Sequence, residues 1–139
     1  MIPESRLYAL FANVASALGF SEVHGRVLAA LLVHKQLSLD ELARHTRYSR
    51  AAISLSLDLL ELLGFIRRVR QQRKLYVRLE GDLLAGLRTA LLFKIQKESA
   101  ATLAELETQK GIAATRLAKE IRRLQRYADA LAKVPLPKK

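Results

Sequence analysis

Residues 38–64 read S-L-D-E-L-A-R-H-T-R-Y-S-R-A-A-I-S-L-S-L-D-L-L-E-L-L-G, and this stretch decides the fold. Its first four residues form a capping box, in which the Ser38 hydroxyl and the Glu41 carboxylate satisfy each other's exposed amide donors. A short helix therefore starts there and reaches about Thr46. Arg47 and Tyr48 lead to a second cap, Ser49, followed by the apolar series Ile53, Leu57 and Leu60 at helical spacing. Gly64 then ends this second helix as a left-handed C-terminal cap. Two capped helices joined by a short turn are the outline of a helix-turn-helix.

Beyond Gly64 the period changes from helical to alternating. Residues 65–70 and 74–79 carry the β-branched and aromatic content of two strands, with Leu75, Val77 and Leu79 predicted inward and Tyr76 and Arg78 outward. Gln71, Gln72 and Arg73 make the loop. With neither Gly nor Asn there, a tight primed turn would be strained. Upstream, Pro3 and Glu4 open a helix whose Leu7, Leu10, Phe11, Val14 and Leu18 recur at three and four up to Gly19. Ser21 caps a further helix to about His34, with Val23, Val27, Leu28, Leu31 and Leu32 as its apolar face. Downstream, Asp82 caps a long helix through Leu103 and Leu106, which breaks near Gly111. A last helix covers about 112–133, and its Leu117, Ile121, Leu124, Ala128 and Leu131 follow a heptad pattern suited to packing along another helix. Pro135, Pro137, Lys138 and Lys139 form a short basic tail.

The bulk properties narrow the function. The 139 residues are 50% hydrophobic, enough for a core, and carry a formal charge of +11, which favours a polyanionic partner. Without cysteine there is no disulfide frame, thiolate nucleophile or Cys-based zinc finger, which suits a reducing cytosol. The apolar runs at 28–33 and 83–95 fall short of the roughly 20 residues a membrane span needs. No basic leader precedes the first helix, so cytoplasmic residence is expected. His24, His34 and His45 show no carboxylate at metal-ligand spacing, and no phosphate-cradling glycine loop occurs. Neither catalytic residues, nor a metal, nor a cofactor is therefore assigned.

Double-stranded DNA is the expected partner. At the turn and the start of the second helix, Arg47, Tyr48, Ser49, Arg50, Ala51, Ala52, Ser54 and Leu55 are the candidate contacts. Ser54 suits base edges, Ala52 or Leu55 a thymine methyl, and Arg50 guanine or phosphate. Asp58 and Glu61 lie farther along, where phosphate would repel them, so contact is confined to the first two turns. In the hairpin, Arg67, Arg68, Arg70, Gln71, Gln72, Arg73 and Lys74 crowd cations and amides into one wing suited to phosphate or a narrow minor groove. A solvated edge that resists aggregation is the competing reading. Leu7, Leu10 and Phe11 at one end and Leu117, Ile121, Leu124 and Leu131 at the other are the candidate dimerisation residues. An intramolecular helical hairpin of the last two helices is compatible with that. The basic face Arg116, Lys119, Arg122, Arg123 and Arg126 reads first as solvated.

Gly19-Phe20, Gly25-Arg26, L-S-L-D-E-L-A at 37–43, Ser49 to Ser54, and Leu57, Leu60 and Glu61 with L-G-F-I-R-R-V at 63–69 resemble the GbsR-type branch of the MarR superfamily over roughly residues 19–76. The resemblance implies a homodimeric winged helix-turn-helix transcriptional regulator, often a repressor. It also implies a recognition helix at 50–63, a wing at 67–78, and dimerisation through the first and last helices. Ala51 and Ala52 stand where relatives commonly carry small polar residues, and the wing is shorter and lacks glycine, so no operator follows. Some relatives answer to choline-like or other small ligands. An aromatic cage for a quaternary ammonium is not evident in a chain with no Trp, four Tyr and four Phe, and the effector is left open.

The expected architecture is mainly α with a small β-hairpin: a winged helix-turn-helix at 19–80, flanked by a dimerisation helix at 1–18 and dimerisation helices with the basic tail at 81–139. The expected function is sequence-specific regulation of transcription, as a repressor, by a cytoplasmic homodimer. The alternative is an architectural, chromatin-like protein that coats DNA with little sequence preference.

Overall fold

The computed structural model describes residues 1–139. The elements run α1 (Glu4–Ala17), α2 (Glu22–His34), β1 (Gln36–Ser38), α3 (Leu39–Thr46), α4 (Arg50–Leu62), β2 (Ile66–Gln71), β3 (Lys74–Leu79), α5 (Leu83–Leu106) and α6 (Ile112–Leu131). Four of the six helix starts are capped by the side chain that the sequence offers. Ser21 Oγ accepts from the amide of His24 at 3.2 Å, and Ser49 Oγ accepts from that of Ala52 at 3.1 Å. Asp82 accepts from Leu84 at 2.8 Å and Ala85 at 3.2 Å. The box at α3 closes both ways: Glu41 N donates to Ser38 Oγ at 3.2 Å, and Ser38 N to the Glu41 carboxylate at 3.0 Å. These bonds pair amides that a helix start otherwise leaves to water.

Two compact units divide the chain, Met1–Gly86 and Leu87–Lys139. In the first, Val27, Leu28 and Leu31 of α2, Leu42 of α3, Ile53 and Leu60 of α4, and Val77 of β3 are buried. Phe20 and Phe65 meet edge to face with ring centroids 5.7 Å apart, an aromatic pairing across the same core. His24 Nδ1 lies 2.6 Å from Ser56 Oγ and ties α2 to α4. Although the sequence sets 1–18 apart, α1 packs inside this unit. It crosses α2 so closely that a Cβ on Gly25 would lie 2.8 Å from the Ala12 Cα. That approach explains why α1 buries Tyr8, Ala12 and Ala15, whereas Leu7, Leu10 and Val14 of the expected apolar stripe are exposed.

The sheet is antiparallel in the order β1-β3-β2. β1 was not expected; it is three residues long, and only its pairing with β3, Gln36 with Arg78, Leu37 with Val77 and Ser38 with Tyr76, marks it as a strand. Lys35, at φ 66°, turns the chain out of α2 into it. The hairpin is tighter than the expected loop of residues 71–73: Gln71 pairs with Lys74, and Gln72 and Arg73 alone make the turn at φ 49° and 68°. This is the primed two-residue turn that the absent glycine had argued against. The right-handed twist of the strands favours that turn, and Gln72 and Arg73 bear its strain. Leu75 is exposed rather than buried, so the inward face of β3 narrows to Val77, with Leu79 half-buried.

In the second unit, α5 and α6 touch through long side chains. Gln96 Nε2 donates to Asp129 Oδ1 at 2.7 Å and Arg122 to Glu107 at 3.3 Å, while Arg88 donates to the carbonyl of Val134. Ala118 and Ala128 are buried, but Leu117, Leu124 and Tyr127 of α6 and Phe93 of α5 are exposed.

Candidate nucleic-acid interface

The helix-turn-helix is α3, the linker 47–49 and α4. Arg47 adopts φ 65° and ψ 21°, the left-handed conformation that ends α3 without a glycine and aims the chain at the Ser49 cap. Tyr48 is half-buried beneath Arg26, whose guanidinium carbon lies 5.6 Å from the ring centre. Burial raises the Tyr48 phenol above its ordinary pKa, and the charge of Arg26 works against that rise. Arg26 is itself paired with Glu22 at 2.6 Å. Tyr48 is thus built into the fold as well as standing at the turn.

On α4, Arg50, Ala51 and Leu55 are exposed and Ala52 and Ser54 are half-buried. Arg50 Nε lies 3.2 Å from Asp40 Oδ1, with both side chains 67% exposed, a pairing weak enough for a phosphate to displace. Ser54 lines a shallow depression with Leu57, Asp58, Arg68 and Leu75, between α4 and the hairpin. The acids expected to repel phosphate are exposed but paired: Arg68 bonds Asp58 at 2.8 Å and reaches Glu61 at 3.7 Å. This arginine, counted with the wing on sequence, is turned onto α4.

The ladder register sorts the remaining wing residues. Arg68 pairs with Val77 and Arg70 with Leu75 on one face. Arg67 pairs with Arg78, Val69 with Tyr76 and Gln71 with Lys74 on the other. Like charges directly opposite each other destabilise a sheet, and Arg67 and Arg78 oppose each other without an ion pair. Arg70, Gln72, Arg73 and Lys74 are exposed around the turn. Gln71 accepts from Gln36 at 3.3 Å, which props the hairpin against β1. Arg67, Arg70, Arg73, Lys74 and Arg78 thus share one short hairpin, an arrangement that a polyanion relieves and that its absence leaves repulsive.

Residues 15–80 match the family model described as sugar-specific transcriptional regulator TrmB. The matched stretch runs from the end of α1 through β3, a little under half of the chain. A crystal structure described as that of a transcriptional regulator is similar with a TM-score of 0.70 at 24% identity, covering 90% of this chain and 89% of that one. A MarR-family transcriptional regulator from Silicibacter pomeroyi is similar at a TM-score of 0.49 and 23% identity, over 96% of this chain and 86% of that one. AbfR of Staphylococcus epidermidis gives a TM-score of 0.45 and 22% identity, over 91% and 84%. No curated protein matches the chain.

The first of these structures shows the fold: a mainly helical winged helix with a small antiparallel sheet. The matching family and the first of these structures are both described as transcriptional regulators. The family model does not single out the GbsR-type branch that the motifs resemble; the two have the winged-helix regulator in common. No helix is long and apolar enough to cross a membrane.

Proposed function

We propose that this chain is a cytoplasmic, DNA-binding transcriptional regulator that acts as a homodimeric repressor, with α4 in the major groove and the β2–β3 wing on the adjacent backbone. The observation that carries this reading is the hairpin itself, where Arg67 opposes Arg78 and Arg70, Arg73 and Lys74 ring a two-residue turn. Alongside it, the capped start of α4 offers amide donors and small side chains that let a helix approach base edges. The domain assignment follows: 19–80 reads DNA, while the first and last helices pair two copies. The matched family region ends with the wing, so the sugar specificity in its description is not carried to this chain. The effector stays open.

Footprinting on fragments of the host genome tests the proposal. A protected, roughly palindromic site with half-sites about one duplex turn, roughly 34 Å, apart is the expected result, and no protection at physiological salt would count against it. One observation favours the architectural reading instead: the outward residues of α4 are mostly Ala and Leu, which offer no hydrogen bonds to base edges. Salt titrations on the selected site and on random duplex separate the two. An affinity for the site about a thousandfold tighter supports the regulator, and equal affinities with equal slopes support the coat.

A further inference from the structure

We propose that Glu4, His34 and His45 form a binding site for a divalent transition-metal cation of the zinc class, set where the first turn of α1 meets the last turns of α2 and α3. The three ligand atoms lie within 4.8 Å of one another. His34 Nε2 is 3.0 Å from one Glu4 carboxylate oxygen and 3.1 Å from the other, and His45 Nδ1 is 3.6 Å from the carboxylate. Donors bound tetrahedrally at about 2.0–2.1 Å from zinc stand about 3.3 Å apart, so the two histidine–carboxylate separations lie on either side of what the ion needs. Two imidazoles and one carboxylate are also the donor set that late first-row cations prefer over calcium or magnesium.

Two features set this cluster apart from an ordinary ion pair. His45 Nδ1 faces the carboxylate at a distance too long for a hydrogen bond, yet its ring is held against that of His34 with centroids 4.4 Å apart. Both imidazoles therefore converge on one carboxylate, which His34 already bonds, and a cation among them would supply the close contact that His45 Nδ1 lacks. Beneath them Tyr8 is 1% exposed, with its hydroxyl 3.1 Å from His34 Nε2. The same phenol also hydrogen-bonds the Glu4 carboxylate, so it holds that ligand from behind while an ion takes the place of its contact with His34 Nε2. Glu4, His34 and His45 retain 39%, 30% and 26% side-chain exposure, which leaves a path for the ion and room for water to complete the coordination. The ligands come from three helices, so no spacing in the sequence announces them.

The site stands whether or not the chain binds DNA, because its evidence lies outside α4 and the wing. An occupied site would clasp α1 to the first helix of the helix-turn-helix. Calorimetry and equilibrium dialysis of the purified full chain with zinc chloride test the proposal, with cobalt(II) as a spectroscopic probe. The expected result is one ion per chain at micromolar or tighter affinity, visible cobalt bands of four- or five-coordination, and a thermal midpoint raised by about 4 °C or more. His34→Ala and His45→Ala should each weaken binding by about tenfold or more. Glu4→Gln keeps the size and polarity of the side chain and so covers the case in which a histidine variant fails to fold; it should weaken binding to a similar degree with an unchanged circular dichroism spectrum. Absence of stoichiometric binding would overturn the proposal. So would an affinity that Glu4→Gln and the folded histidine variants leave unchanged, since the ion would then sit elsewhere.

Discussion

At the scale of single residues, the wing turn sets stability against binding. Gln72 and Arg73 both hold positive φ, which costs a residue with a Cβ about 1 kcal/mol or more. Arg73→Gly should therefore raise unfolding stability by up to about 1 kcal/mol, after allowing for the extra freedom glycine gains when unfolded. The same change removes a wing cation, so DNA affinity should fall and the salt slope shrink by about one phosphate contact. Denaturant unfolding and a salt titration on one preparation check both signs. The α3 cap offers a second residue-level case. The backbone amide of Ser38, then its hydroxyl, hold the Glu41 carboxyl below its ordinary pKa, with Lys74 and Arg44 adding smaller attractions. A depressed carboxylate pKa contributes stability above the unfolded value, and that contribution is lost as pH falls through the folded value. Glu41→Gln should accordingly be less stable than the parent at neutral pH, and the gap should close as pH falls below about 4.3. Ser38→Ala, at a buried cap, should cost about 1 kcal/mol at neutral pH. Thermal melts across pH measure both.

At the scale of elements, α1 is held by its closeness to α2. A Cβ on Gly25 would meet the Ala12 Cα at 2.8 Å and the Ala15 Cβ at 3.1 Å, so the helices must part to admit it. Gly25→Ala should destabilise by about 1–2 kcal/mol despite alanine's better helix propensity, because backbone displacement outweighs it. A chemical denaturation midpoint that does not fall would show the crossing to be looser than this. The wing is the element for which a binding change is expected without a change in fold: Arg70, Arg73 and Lys74 changed together to Ala should leave helix content intact and reduce the salt slope of DNA binding by roughly 2 to 3. The caps and the switch of period at Gly64 made α1 to α4 and the hairpin readable from sequence, since each depends on contacts within a few residues. β1 was not readable, because three residues become a strand only when β3 lies beside them. Nor were the partners of Arg68 and Arg50, which side-chain geometry alone reveals. The Glu4, His34 and His45 cluster was hidden for the same reason: α1 and α3 bring together residues that are remote in the chain.

At the scale of the whole molecule, uncovered apolar surface is the quantity to explain. Leu62 is 82% exposed at the end of α4, and Leu7, Leu10 and Val14 of α1 are exposed as well. In the second unit, Leu117, Ile121, Leu124 and Tyr127 line an open groove on α6, and Leu117 and Leu124 are 58% and 46% exposed. Apolar rows at heptad spacing that the chain itself leaves in water favour a second copy of the same helix, since a closed two-fold pairing buries the row on both sides at once. Each fully buried leucine contributes about 1.5–3 kcal/mol, so a few per chain suffice for a stable dimer. Leu117→Glu with Leu124→Glu places two like charges per chain into that row without touching the buried Ala118 and Ala128. Sedimentation velocity should show the parent as a dimer and the double variant as a monomer of unchanged helix content. DNA binding supplies the second readout, because two linked readers engage paired half-sites with an effective concentration that separate monomers lack. Affinity for a palindromic site should then drop by about a hundredfold or more, while affinity for an isolated half-site stays the same. A double variant that remains dimeric would move the interface away from α6 and onto the exposed leucines of α1.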